Sequence, residues 1–523
     1  MTNFIKPHWP IITIIILGIF FRFWQISQLP GGLFPDEAAN GLDVNSILAG
    51  DYKPFYERGN GREALFFYFL AIPVALFGRG AWQHHVVSAG IGLLSVIAAY
   101  LLAKKMFGKR IALLAGFLMA VSSYAATISR TAFRANTVPL FSILVLYFLI
   151  CFFQTREPKK KYWYAALSGL AFALGFYTYI SFRMMLPLLF GFAILLVLSQ
   201  RHKLKSIIQQ YWKYKTVFAL TFILGFSWIG YYFLTHPGTF IGRAGQVSIF
   251  SPDLNQGNIL GTFWEVFKAT ILSFFSAGDV NWRHNVSGYP FLSPLASPFF
   301  ALALIVFSFA IFKLLRQVWS RKLNKETVYQ SLVAVWFWFM LIPELTTAEG
   351  IPHGLRLIGV IPPMFILSAW GIDWLWQRIR IREAYFKAGL ASVFLFSTFA
   401  VNYHAYFVVA AESPEYYYAF RSDLSVVSQY LNARNQKEKT YLSLDKFSVQ
   451  TVDYLTTAAN RPYILLVPEK SFAIKLNQGD QVVFTQSTIF DSIKFKQHHP
   501  DSKLVLERKN KFGEKIMLVY ERL

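Results

Sequence analysis

Hydropathy divides the chain into apolar runs, each about 16–21 residues long and so close to the thickness of a bilayer's hydrocarbon core, joined by short polar links. Eleven such runs fall near 10–27, 84–103, 110–127, 137–153, 162–180, 184–199, 216–234, 295–315, 328–345, 357–377 and 386–405. The run ALFFYFLAIPVALFG (64–78) is shorter, is broken by Pro73 and follows a polar loop. It reads as a re-entrant or interfacial helix rather than a span. The first run follows a single Lys and has no small-residue cleavage site, so it reads as a retained anchor. Beyond about residue 406 the pattern changes. Amphipathic stretches (SDLSVVSQYLNAR, FSVQTVDYLTTAA) mix with short β-type runs (KTYLSL, YILLVP, QVVFT), and KLVLERK and KIMLVYERL flank the turn-like NKFGE. The pattern predicts a polytopic α-helical membrane domain over 1–405 and a small α/β domain over 406–523.

Composition fits that reading, with 55% hydrophobic and 15% charged residues and a mean hydropathy of +0.39. The formal charge of +23 raises nucleic acid as a partner, but its distribution excludes that class. Basic residues cluster after every second run: Lys104 to Arg110, Arg156 to Lys161, Arg201 to Lys215, Lys313 to Lys325, and Arg378, Arg380, Arg382 and Lys387. Such clusters mark cytoplasmic links. With the N-terminus inside, the 28–83 loop, the segments SRTAFRAN and YISFR, the 235–294 loop, the PHGLRLIG corner and the C-terminal domain all fall outside, at a cell membrane. The lone Cys151 excludes an intrachain disulfide and any multi-thiolate metal site. No P-loop, GxGxxG or CxxC occurs in the C-terminal domain.

The unusual polar residues concentrate in the outer segments. Asp36 and Glu37 follow Pro35 at a loop-to-helix junction, where they supply either acid/base chemistry or an acidic first turn that complements the helix dipole. Asp43, Asp51, Glu57 and Glu63 make the same loop acid-rich. Arg130 and Arg134 lie four residues apart, on one face if helical. Arg183 and Arg356 also sit at outer span ends. Guanidinium forks suit phosphate, although any one of them is equally a snorkelling side chain. Arg62, Glu63, His284 and His353 are candidate substrate contacts. No zinc-type spacing accompanies the histidines, so no metal site is predicted.

The segments FPDEAANG (34–41), GREALFFYFLA (61–71), SRTAFRANTVPLF (129–141), GDVNWRHNVSGYP (278–290) and PHGLRLIGVIPP (352–363) resemble, in order, the GT-C glycosyltransferases. More closely, they resemble the bacterial and archaeal members of glycosyltransferase family 39, the protein O-mannosyltransferase and aminoarabinose-transferase-like group. The resemblance covers about 10–405. It implies a polyprenyl-phosphate sugar donor, Asp36 as catalytic base, Glu37 as a positioning group, and no general need for a metal, although a divalent ion bridging the acids and the phosphate stays open. The residues fit that chemistry. A phosphate leaving group needs no proton donor, so one base suffices, and cations belong where charge grows on the departing phosphate. Arg130, Arg134, Arg183 and Arg356 are the candidates for that phosphate. Direct attack on a hexose- or mannose-like donor by an acceptor hydroxyl, on protein, lipid or glycan, predicts inversion. A non-enzymatic lipid-linked sugar carrier, and a polysaccharide polymerase or ligase using a diphosphate-linked donor, are the alternatives. If the C-terminal domain selects the acceptor, deleting 413–523 lowers transfer and spares donor binding.

Overall fold

The computed structural model describes residues 2–59, 61–240, 242–245, 247–380, 383–434, 438–457, 462–470 and 472–523. Helices occupy all eleven predicted places. Among the described residues, eight are long and apolar enough to cross a membrane, nine if the bent pair Lys109–Val121 and Ser123–Arg130 is one span. By length and composition, eight or nine of the eleven predicted spans therefore qualify among the described residues. The first helix, Thr2–Phe23, has 22 residues, its described apolar stretch being His8–Phe23, and the Pro158–Gly175 helix spends its first turn on Lys159, Lys160 and Lys161. The Leu65–Phe77 helix has 13 residues, about 20 Å at 1.5 Å per residue, too short to span.

The bent pair turns by 59° at Ser122, whose hydroxyl accepts from the Ala125 amide at 3.2 Å and so caps the second piece. A break inside a bilayer leaves carbonyls without partners. Arg22 fills this one, donating to the carbonyls of Ala120 (2.9 Å) and Met119 (3.1 Å). Arg130, at the end of the bent pair, returns the arrangement to the first helix. It donates to the carbonyls of Phe21 (3.2 Å), Trp24 (2.8 Å) and Leu29 (2.5 Å). Two buried arginines therefore serve as helix caps.

The Ile361–Arg378 helix runs through the middle of the bundle, with every residue from Ile361 to Asp373 buried. The long Leu204–Thr235 and Ala384–Tyr403 helices lie at the periphery and bury few residues. The predicted outer segments come together around one cavity, and basic links meet one another elsewhere, Gln154 donating to the Lys105 carbonyl and Arg201 lying over Trp319; Arg382 of the last cluster lies outside the described residues.

The C-terminal residues form a five-stranded sheet in the order 464–466, 440–443, 481–485, 515–522, 502–509. The first three strands are parallel, and the last two form the antiparallel hairpin expected around NKFGE. Val483, Met517 and Val519 face the helices Ser422–Ala433 and Val449–Leu455, while Val482, Phe484 and Leu518 face the Asp491–His498 side. The last bundle helix passes into a π-helical turn, His404–Ala410, before this unit begins.

Candidate active site

At the loop-rich end of the bundle a cavity of about 820 Å³ opens between the first loop and the ends of four spans. Its first wall is the Pro35–Leu48 helix. Pro35 occupies the first helical position, with the fixed φ a helix start favours. Asp36 projects into the cavity, and Asn40, one turn on, follows it. Glu37 points the other way and is fully buried. Its carboxylate accepts from the Phe34 amide (2.9 Å) and from the Ala132 amide (2.6 Å), with His85 Nε2 at 3.7 Å. Adjacent residues on a helix are about 100° apart, so the pair divides its work. Glu37 caps its own helix and ties it to the 131–132 turn, and only Asp36 meets the cavity.

Arg62 secures the same helix from the cavity side. It donates to Asn40 Oδ1 (2.9 Å) and to the Asp36 carbonyl (3.4 Å), with Asp43 at 3.9 Å. Burial pushes its pKa down to about 10, against the pull of Asp43, so it stays charged at neutral pH. Burial likewise raises Asp43 despite its hydrogen bond from Arg58.

The second wall is built around Glu63. Its two oxygens take one guanidinium each, Arg183 Nη2 at 2.8 Å and Arg134 Nε at 3.0 Å. Arg183 is buried against Phe233 and Phe240, and its Nε and Nη1 have no hydrogen-bond partner among the described residues. Arg134 lies over the Tyr179 ring at 5.2 Å. Arg356 also lines the cavity, held by the Glu349 carbonyl at 2.5 Å and near Glu344 at 3.8 Å. Arg130 does not line it. The helix carrying Arg130 ends there, the chain turns at Ala132, and Arg134 opens a separate 3-10 turn, so the two arginines do not share a face.

Among the cavity residues that the sequence did not single out are Asn40, Arg283 and Glu349. Asn40 was legible as the i+4 neighbour of Asp36. Arg283, beside His284, sits 3.5 Å above the Phe34 ring and donates to Asn281 (3.1 Å). Burial lowers its pKa, and the charges of Asp36, Glu37 and Asp279 oppose that. The described lining thus holds five guanidinium groups (Arg62, Arg134, Arg183, Arg283, Arg356) and three carboxylates (Asp36, Glu63, Glu349). The surplus of positive charge suits an anionic group beside one open carboxylate.

His284 and His353 line the third wall, their rings 4.4 Å apart. With Asp279 they form a group whose ligand atoms lie within 4.8 Å of one another, a spacing compatible with a cation. The Asp279 carboxylate is already used, however. It accepts from His284 Nδ1 (2.9 Å) and from the amides of Gly354 and Asn281 (both 2.8 Å). Burial pushes Asp279 up, and these hydrogen bonds more than reverse it; burial pushes His284 down. The group works as a clamp between the 278–290 and 352–356 segments.

The arrangement of spans and sheet is shared with solved membrane enzymes. ArnT from Cupriavidus metallidurans, determined with undecaprenyl phosphate, aligns at a TM-score of 0.51 and 12% identity over 97% of both chains. Its apo form gives 0.53 and 11%, covering 99% of this chain and 98% of that one. The oligosaccharyltransferase of Archaeoglobus fulgidus, tethered to an acceptor peptide, gives 0.53 and 12% over 98% of this chain and 74% of that one. The chain has the GT-C glycosyltransferase fold. Within this GT-C chain, residues 64–229 match the sequence model of the family described as dolichyl-phosphate-mannose-protein mannosyltransferase. That stretch contains Arg134 and Arg183 and begins after Asp36. No individually curated protein matches.

Proposed function

We propose that this chain is a membrane glycosyltransferase that moves a sugar from a polyprenyl-phosphate donor to an acceptor hydroxyl. The observation that carries the reading is Asp36, an open carboxylate at the mouth of a guanidinium-rich cavity at the end of a membrane bundle. The donor class draws support from ArnT, determined with undecaprenyl phosphate, and from the archaeal enzyme AglB of Archaeoglobus fulgidus, determined with dolichol phosphate (TM-score 0.52).

Asp36 takes the proton of the acceptor hydroxyl as its oxygen attacks the anomeric carbon. The bond from that carbon to the phosphate oxygen breaks, and its electrons stay on the polyprenyl phosphate. Arg183, with two nitrogens unpartnered among the described residues, and Arg134, Arg283 and Arg356 on the same cavity stabilise the charge gained there. Glu63, fixed by two guanidiniums, offers acceptor oxygens to sugar hydroxyls. Attack opposite the leaving group inverts the anomeric centre. Glu37 and Arg130 act on the scaffold and not on substrate. The basic links between apolar runs, by the positive-inside pattern, support a cavity and C-terminal unit on the outer face of a cell membrane.

A carrier needs charged groups along a path through the bilayer. Here the buried arginines Arg22 and Arg130 are spent on backbone carbonyls, which favours an end-of-bundle enzyme. The test is purified protein supplied with radiolabelled polyprenyl-monophosphate and polyprenyl-diphosphate sugars. Release of free polyprenyl phosphate with an inverted glycoside supports the reading. Turnover of diphosphate donors alone, or sugar-lipid movement across vesicles without transfer, contradicts it.

A further inference from the structure

Helical geometry puts Gly41 about 140° around the helix from Asp36, on the far side from the cavity. That far side is not covered by the bundle alone. The Val449–Leu455 helix of the C-terminal unit lies along it, and a Cβ at Gly41 would come within 2.4 Å of the Tyr454 ring. Leu33, Ala38 and Tyr454 form one buried cluster, and His84 meets the Tyr454 ring edge-on at 4.9 Å.

The loop leading into the helix is held by the same unit. Thr451 Oγ1 donates to the Leu33 carbonyl (3.0 Å) and Ser422 Oγ to the Pro30 carbonyl (3.1 Å). Gly32 approaches so closely that a Cβ would lie 2.3 Å from the Phe420 carbonyl. Phe34, the residue before the helix, packs on Phe447 of the C-terminal unit (5.7 Å), while Arg283 of the cavity lies over the Phe34 ring. Every residue from Pro30 to Phe34 except Gly31 thus touches the C-terminal unit, and the segment ends two residues before Asp36.

We infer that the C-terminal unit sets the position of the base, with Tyr454 as the positioning residue acting through Gly41 and the Pro35–Leu48 helix. A unit that only selected acceptors would have no need to grip this helix from behind. The catalytic consequence rests on the reading of Asp36 as base. Placement of a reacting group by about 1 Å changes rates by about a hundredfold, so a modest tilt of the helix is enough to be measured.

The test uses full-length protein in nanodiscs carrying Tyr454→Ala, Tyr454→Phe, Gly41→Ala or Asp36→Asn. Readouts are kcat and KM with a turned-over polyprenyl-phosphate sugar, binding of polyprenyl phosphate, thermal melting, and hydrogen exchange at residues 35–48. Tyr454→Ala and Gly41→Ala are expected to lower kcat of the folded protein at least tenfold with polyprenyl-phosphate affinity held, and to speed exchange in the helix; Tyr454→Ala also lowers melting by several degrees, because it empties a buried site. Tyr454→Phe, which keeps the ring, is expected to behave as wild type. Unchanged exchange or kcat in either of the first two variants overturns the inference. Loss of kcat, binding and melting together also overturns it, because the contact is then structural only. Asp36→Asn at wild-type rate, with exchange altered in Tyr454→Ala, instead removes the base assignment and with it the catalytic consequence.

Discussion

Replacing Glu63 by Gln removes one charge from the point where three segments of the cavity wall meet. Glu63 belongs to the first loop, Arg134 to the turn that opens the next span, and Arg183 to the 180–184 turn. The carboxylate is buried and bonded to both guanidiniums at 3.0 and 2.8 Å, and among the described residues Arg183 has no hydrogen-bond partner for its Nε and Nη1. Removing one partner of a buried ion pair costs about 3–5 kcal/mol, because the remaining charge is left in a poor solvent. Arg134 is partly solvated and relaxes, so the lower half of that range applies, about 3 kcal/mol. Expressed in transition-state binding this is a loss of order a hundredfold in kcat/KM. Expressed in folding it lowers the melting temperature by several degrees. Purified Glu63→Gln is assayed for transfer, donor affinity and melting side by side. A variant with wild-type kcat/KM and wild-type melting would refute the assignment of Glu63 as the junction of the cavity wall.

Other expectations follow from the same geometry. Arg130→Ala deletes three hydrogen bonds to backbone carbonyls, two of them fully buried, so melting falls by the equivalent of about 3 kcal/mol or more, while KM of the folded fraction stays near wild type. Arg283→Ala removes a cavity cation without touching those caps, and steady-state kinetics should show reduced kcat/KM with melting nearly unchanged. Asp279→Asn loosens the clamp between the 278–290 and 352–356 segments, seen as faster limited proteolysis there. Because Asp279 titrates below the ordinary carboxylate range, its support is full above about pH 4 and is lost as pH falls through its folded value, which melting at graded pH detects. Treatment with a chelator is expected to leave transfer unchanged, since the Asp279 carboxylate is satisfied within the chain; a loss restored by divalent metal would make that cluster a metal site.

Much of the architecture is written in local periodicity. Apolar runs placed every bundle helix, and alternation in KLVLERK and KIMLVYERL gave the hairpin, because these signals depend on near neighbours. The count of spans was less legible, since the helix over the 162–180 run ends at Gly175 and the break at Ser122 divides a run that looks continuous by hydropathy. Within the site, Asp36 stood out by its place after the first span. Its division of labour with Glu37 did not, because the direction of each side chain is decided by the distant Ala132 amide. Arg130 and Arg134 share a face only if the helix continues, and a helix end at a buried turn leaves a weak local mark. Arg283 was hidden by its neighbour: a single arginine in a long loop carries no periodic signal, and its proximity to Phe34 is a tertiary fact.

The most direct measurement is single-turnover transfer by Asp36→Asn with a preloaded polyprenyl-phosphate sugar. The substitution keeps the shape of the side chain and removes its capacity to accept a proton. A rate reduced at least about a hundredfold with donor binding intact is the result predicted for a general base. A rate equal to that of wild type would contradict the account at its centre.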